Sequence, residues 1–348
     1  MSATVNTKWV NSFALALVAG AIALLAIKHF ENSNGQVKLR LLNVSYDLTR
    51  ELYAELNPKF IAQYRKDTGN LIAIEQLHGG SSRQARAVAD GSEPADVVTL
   101  ALPSDIESLH ARGLITDNWQ QRFPRVSQPY YSTIVFVVRK GNPKNIKDWP
   151  DLAAPGVEVV TPNPKTSGHG KLSVLAALGS VIYRGGTEDQ ARDLVTKLFQ
   201  NVSVLGTGAR DSTNTFELGG EGDVHLTWEN EAIREVAESK GELQIVYPPV
   251  SIRAEPTVAV VDANVAKHKT EATAAAYLTY LFSGEAQETF AKDGYRPIND
   301  NILKEHQDTF PDIALFPVTL IAKDWDDAQA RFFGDNGIFT VIQLSKNN

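Results

Sequence analysis

Short β-branched runs alternate with helical stretches along most of this chain, and that rhythm restricts the fold more than any other feature. The run "VKLRLLNVS" at residues 37–45 reads as a strand. Leu48, Leu52, Leu56, Phe60 and Tyr64 then recur at every fourth position, which places them on one helix face. "LIAIEQL" is a second strand, and "SRQARAVADG" is a helix closed by Gly91. "ADVVTLAL" is continuously apolar, as a parallel strand covered on both faces must be. Strand, helix, strand, helix, strand in this order specifies an α/β layer fold.

A second set follows. "STIVFVVRKGNP" at residues 132–143 is a buried strand, and "GVEVVTPN" leads into a helix through Leu175, Leu178 and Ile182. A further helix runs from Glu188 to Phe199, with strands at "VSVLG", "GDVHLTW" and "LQIVYPP". "EPTVAVVD" matches "STIVFVVR" in length and β-branched content, so the pair is expected to form a two-stranded hinge between two lobes. The remainder is helical, with "DWDDAQARFF" as the expected last helix. The expected division is residues 37–131 plus 257–345 for lobe one and 132–256 for lobe two, inserted into the first. Ligands of such sheets bind beyond the carboxyl ends of strands, which here means the cleft between the lobes.

Residues 1–36 stand apart. Lys8 precedes an uncharged run, "WVNSFALALVAGAIALLAI" at residues 9–27, followed by Lys28 and a polar stretch. This is the pattern of an export signal. The run also approaches the roughly 20 residues that span a bilayer, so removal after export and retention as an anchor are both open. The chain has no cysteine, which excludes disulfides, thiolate metal sites and cysteine catalysis. Its net charge of −7, with scattered Lys and Arg, argues against nucleic acid. Any anionic ligand must be held by local groups against that field.

The stretch "PNPKTSGHGKLSV" resembles a phosphate-gripping loop but fails its pattern. Lys165 stands where the first glycine belongs, and Leu172 follows Lys171 where Ser or Thr is needed. No G-x-S-x-G elbow supports Ser167 as a nucleophile. The seven histidines are dispersed, without metal-ligand spacing, so neither an enzyme nor a metal or cofactor site is expected. What remains is a strand that turns through Ser167 and Gly168 into a helix. The first turn of a helix carries unpaired N–H groups and a partial positive charge, which suits an anion. Four other turns are alike: "NVSYDLTRE" near Asp47, "HGGSSRQ" with Ser81 and Gln84 spaced as a capping box, "TGARDSTNTF" with Ala209 before a cap at Asp211 or Ser212, and "HLTWENEA" with Trp228 at a strand-to-helix corner.

These stretches, with "ADVVTLAL", "TPNPK.SG", "GAR.STNTF", "WENEA", "AEPTV.VVD" and "YRP", resemble the periplasmic sulfate-binding proteins that serve ABC importers. The resemblance covers nearly the whole chain after residue 37. It implies a two-lobe periplasmic-binding-protein fold of type II, binding of sulfate or thiosulfate, delivery to the membrane subunits of an ABC permease, a periplasmic location and a monomer. It further implies that the backbone N–H groups of Asp47, Ser81, Gly168, His169 and Ala209 point at the anion. The Ser167 hydroxyl and the Trp228 indole complete the shell, and Arg210 steadies the loop from behind. A shell of donors alone rejects phosphate, whose proton would find no acceptor. The Asp47 carboxylate is therefore expected to turn away towards neighbouring backbone groups. The family often has Gly-Gly where this chain has Gly168-His169; the imidazole is expected to point to solvent, with a pH-sensitive contribution to affinity as the alternative.

Overall fold

The structure, a computed structural model, describes residues 39–346, so the apolar run at 9–27 lies outside the described residues. In chain order come β1 (Leu39–Tyr46), α1 (Arg50–Thr68), β2 (Ile72–Gly79), α2 (Ser81–Ala89), β3 (Val97–Leu100) and α3 (Pro103–His110). Then follow β4 (Ile134–Arg139), β5 (Val159–Pro162), α4 (Gly168–Tyr183), α5 (Glu188–Gln200), β6 (Val202–Gly206), α6 (Ala209–Glu217), β7 (Val224–Trp228), α7 (Glu229–Glu238), β8 (Leu243–Val246) and β9 (Thr257–Val260). Contacts divide the chain into two units. The smaller takes the chain up to Arg40 with residues 61–73, and of its described part holds the later turns of α1 and the first residues of β1 and β2. The larger, residues 41–60 and 74–348, contains every candidate site residue.

Two mixed sheets organise the strands. One has the order β9-β3-β1-β2, with β3 parallel to β1 and antiparallel to β9. The other has the order β6-β5-β7-β4-β8, with β5 parallel to both β6 and β7 while β4 runs against β7 and β8. The alternation of β4 sorts its side chains to two cores. Ile134, Phe136 and Val138 join Leu172 and Leu175 of α4 and Val195 and Leu198 of α5. Val135 and Val137 join Phe216 and Ala232 on the other face. A strand buried on both faces has no polar side, which is why β4 reads as an unbroken apolar run.

One expectation is corrected, and the two strands expected at the hinge are placed in different sheets. β4 and β9 do not pair along their length, because each is claimed by a different sheet. The antiparallel crossing is a single bridge, Ser132 to Ala254, with N–O distances of 3.0 and 2.9 Å. The expected last helix is also broken: Trp325–Ala328 is α-helical, Gln329–Phe333 widens to a π-turn, and another helix follows at Ile338–Lys346.

The C-terminal segment packs beside α4 and α5. Strand Ala314–Phe316 runs parallel to Val250–Ile252. The Phe339 and Phe199 rings meet edge to face at 5.1 Å between centroids. Phe316 lies directly over Gly179 of α4, where an added Cβ would come within 2.1 Å of the ring. Replacing Gly179→Val should therefore force the tail off α4, with a stability loss of about 1–3 kcal/mol from overpacking. Urea unfolding monitored by tryptophan fluorescence checks this.

Candidate functional site

Three helix starts, one tight turn and one strand end meet within the larger unit. α2 begins after Gly80, α4 after Ser167 and α6 after Gly208. Asp47 opens a 3-10 turn at the end of β1, and Trp228 ends β7. Their closeness is fixed by direct contacts. The Thr166 hydroxyl donates to the Thr207 carbonyl at 2.8 Å. A Cβ on Gly80 would lie 2.5 Å from the Thr166 carbonyl, one on Gly168 3.3 Å from Ser81 Cβ, and one on Gly208 2.5 Å from Asp47 Oδ2. The Tyr46 and Trp228 rings lie 5.2 Å apart. Asp47, Ser81, Ser167, Gly168, His169, Ala209 and Trp228 are thus gathered in one place, and all are buried.

The sequence-expected caps differ. Ser81 is the first residue of α2 rather than its cap, and Gly80 takes the cap position. The Ser81 hydroxyl instead donates to Asp105 Oδ2 at 2.6 Å and accepts from the Ala101 amide at 2.9 Å. In α6, Gly208 is the cap, and Asp211 Oδ2 accepts from the Thr207 amide at 2.8 Å. The Ser167 hydroxyl makes no capping bond either. Each arrangement keeps local side chains from capping the first-turn N–H groups that helix geometry leaves without a partner. The dipoles of α2, α4 and α6 add positive potential at the same point.

Asp47 accepts from the Arg210 amide at 3.3 Å, and the Ala209 amide also acts on its carboxylate. Burial pushes its carboxyl above the usual carboxylate range, and these backbone N–H groups pull it part of the way back. Its turn towards neighbouring backbone matches the expectation, although the Ala209 amide is among the groups it meets. The Arg210 side chain reaches Glu51 at 2.8 Å, tying α6 to the start of α1.

Asp105 and Lys171, which hold these turns, were not among the sequence-expected site residues. Asp105 holds both Ser81 and Ser82, the latter at 3.0 Å. Lys171, nearly fully buried, donates to the Ser82 hydroxyl at 2.9 Å and lies 3.7 Å from Asp105. Lys171 is one helical turn past Ser167, a spacing that could have flagged it. Asp105 lies 24 residues from Ser81 and carried no local signal. Among the described residues, no three His, Asp or Glu side chains gather as metal ligands.

The Trp228 side chain is wholly buried, yet among the described residues no acceptor meets its Nε1. A buried indole N–H ordinarily finds a partner. Residues 45–296 match the family described as bacterial extracellular solute-binding protein. The chain belongs to that family. It is 50% identical over 306 residues to the sulfate-binding protein of Salmonella typhimurium, covering 87% of this chain and 93% of that one. It is 46% identical over 332 residues to the thiosulfate-binding protein of Pseudomonas aeruginosa, covering 95% and 98%. The solved structure of the sulfate-binding protein SubI from Mycobacterium tuberculosis H37Rv superposes with a TM-score of 0.77 at 30% identity, covering 85% of this chain and 99% of that one. This solute-binding protein is α/β, with the two-lobe fold of type II, and its relatives are binding proteins rather than enzymes.

One side chain of this solute-binding protein overturns its expected placement. His169 does not point to solvent; it is 3% exposed. As the second residue of α4 it needs no glycine-only backbone angle. Its Nε2 lies 2.9 Å from the Leu226 carbonyl, so Nε2 carries the proton and donates. The ring fills space beside Trp228, edge to face at 6.4 Å. Burial first, and then His225, push its pKa down to about 3. The imidazole therefore stays neutral throughout pH 5.5–8. In the unfolded chain it titrates near 6.5. The folded state thus binds fewer protons between about 6.5 and 3, so this stabilisation is complete above 6.5 and lost as pH falls towards 3. Melting temperatures of His169→Gln should fall less steeply than wild type from pH 6.5 to 4, and ligand affinity should show no His169-dependent change from pH 5.5 to 8.

Proposed function

We propose that this protein captures sulfate, or thiosulfate, outside the cytoplasm and delivers it to the membrane subunits of an ABC-type import permease. The observation that carries this reading is the buried, unpartnered Trp228 indole N–H beside three converging helix starts. Buried helix starts and an indole donor, with no cation required in contact, suit a dianion without a proton. The identity to proteins named for sulfate and thiosulfate binding supports the choice of ligand.

In this proposal the amides of Asp47, Ser81, Gly168, His169 and Ala209, the Ser167 hydroxyl and the Trp228 indole hold the oxyanion. The Asp47 carboxylate yields the Ala209 N–H to the ligand and keeps that of Arg210. Asp105, Lys171, Arg210 and Glu51 hold the loops in place from behind. Residues 37–131 and 257–345 form lobe one and residues 132–256 lobe two, with the tail from Ala314 resting on lobe two through Phe316 and Phe339. Asp47 and Ser81 then belong to one lobe and the remaining ligands to the other, so the anion favours the closed form by bridging them. The protein acts as a monomer, and residues 1–36 direct its export.

Calorimetry with sulfate, thiosulfate and phosphate tests the reading. Sulfate or thiosulfate should bind saturably at one site, with phosphate weaker by roughly 10⁴, since its proton would lack an acceptor. Trp228→Phe keeps an aromatic ring, though a smaller one, and removes the donor. It should weaken sulfate binding by about 1.5–3 kcal/mol, or roughly 10- to 150-fold. Wild-type protein that binds none of these anions would refute the proposal.

A further inference from the structure

Trp228 is held by a closed circuit of contacts that runs through the segment Tyr295–Pro297. The Trp228 ring packs on Tyr46 at 5.2 Å, and the Tyr46 hydroxyl lies 3.1 Å from that of Tyr130. Tyr130–Tyr131 pairs antiparallel with Arg296–Pro297. Arg296 then returns to the residue after the tryptophan. Its Nε donates to Glu229 Oε2 at 2.6 Å and its Nη2 to Glu229 Oε1 at 2.8 Å. Both side chains of this ion pair are buried. Arg296 Nη2 also donates to the Pro311 carbonyl at 2.8 Å, which fixes the guanidinium from behind. Glu229 opens α7, and its amide donates to the Thr133 carbonyl at 3.0 Å. The neighbouring Tyr295 hydroxyl donates to the Leu48 carbonyl at 2.7 Å, one residue past Asp47. One three-residue segment thus grips both the turn that carries Asp47 and the strand end that carries Trp228.

We propose that Arg296 is a positioning residue for anion binding: through Glu229 it sets where the Trp228 indole N–H stands, without touching the anion itself. This rests on the reading of Trp228 as an anion donor. A buried ion pair adds little net stability, because well-packed apolar groups of the same volume often do as well. What it supplies is geometry. A guanidinium grips a carboxylate with two parallel bonds, which fixes direction as well as distance. The Trp228 Nε1 meets no acceptor among the described residues, so packing and the backbone on either side set its direction. Glu229 is that backbone neighbour, and Arg296 holds its carboxylate. The pair has a second effect. A buried carboxylate one residue from an anion donor would repel the ligand, and the Arg296 charge cancels it.

Arg296→Lys keeps the charge and gives up the two-bond grip, and Glu229→Asp keeps the charge and draws the carboxylate back by one methylene. Thermal melting confirms that each variant folds, and if one does not, the other decides. Sulfate calorimetry is then run in two backgrounds. With Trp228 present, each variant should weaken binding by about tenfold, a share of what the indole bond carries. With Trp228→Phe already made, each should cost less than about twofold, because the residue acted upon is gone. A purely structural role predicts the same loss in both backgrounds. The ligand-free protein is read separately through its indole ¹⁵N–H resonances. The resonance missing from Trp228→Phe should shift in both variants, while those of Trp119, Trp149 and Trp325 keep their places. Should the wild type bind no sulfate, the reading of the anion site fails, and the resonance still decides whether Arg296 places the indole. Sulfate affinity within about twofold of wild type in the folded variants, or equal losses in the two backgrounds, overturns the proposal. So does a Trp228 resonance that stays where it was.

Discussion

The constraint on which the gathered turns depend is that three helix starts meet without being capped by their own neighbouring side chains. Helix starts usually recruit a Ser, Thr, Asp or Asn oxygen as a cap. Here Gly80 and Gly208 occupy two cap positions, and Ser167 occupies the third without a capping bond. The nearby polar side chains are diverted: Ser81 and Ser82 to Asp105, Asp211 to Thr207. Glycine also removes the Cβ that would collide at the Gly80–Thr166 and Gly208–Asp47 contacts. Close approach of the turns and retention of the donors thus have the same cause.

Charge is arranged one layer further out. Lys171 is held by Ser82 and Asp105, and the Arg210 guanidinium by Glu51. These pairs join α4 to α2 and α6 to α1, so they fix how the turns face one another. Because their charge is neutralised locally, they contribute geometry rather than bare attraction. A protein of net charge −7 can still stabilise an anion locally, because aligned helix dipoles in a dry site are weakly screened.

Behind the turns, packing fixes the aromatic ring. Trp228 lies between Tyr46 and His169, and His169 is anchored to the Leu226 carbonyl on the strand that carries Trp228. His169 is accommodated because it is the second residue of α4, where the helical backbone needs no glycine. The ring turns inward to a carbonyl instead of outward to water, and burial keeps it neutral.

Much of this was legible in the chain alone. Four-residue spacing from Leu48 to Tyr64 specified α1, and β-branched runs specified β3 and β4, because period and burial leave direct marks on composition. The turns at Asp47, Ser81, Ser167, Ala209 and Trp228 were visible as strand-to-helix transitions. Capping was misread at Ser81 and Asp211, since a hydroxyl or carboxylate near a helix start has several competing partners. The choice of Asp105 for Ser81 depends on a residue 24 positions away. That β4 and β9 join different sheets was equally out of reach, because strand partners are set by sheet order and not by resemblance between runs. Local sequence therefore determined which elements form and where their polar ends lie. Only tertiary packing decided which of those ends meet, where His169 turns and which donors stay uncapped, because contacts between distant segments leave no periodic trace in the chain.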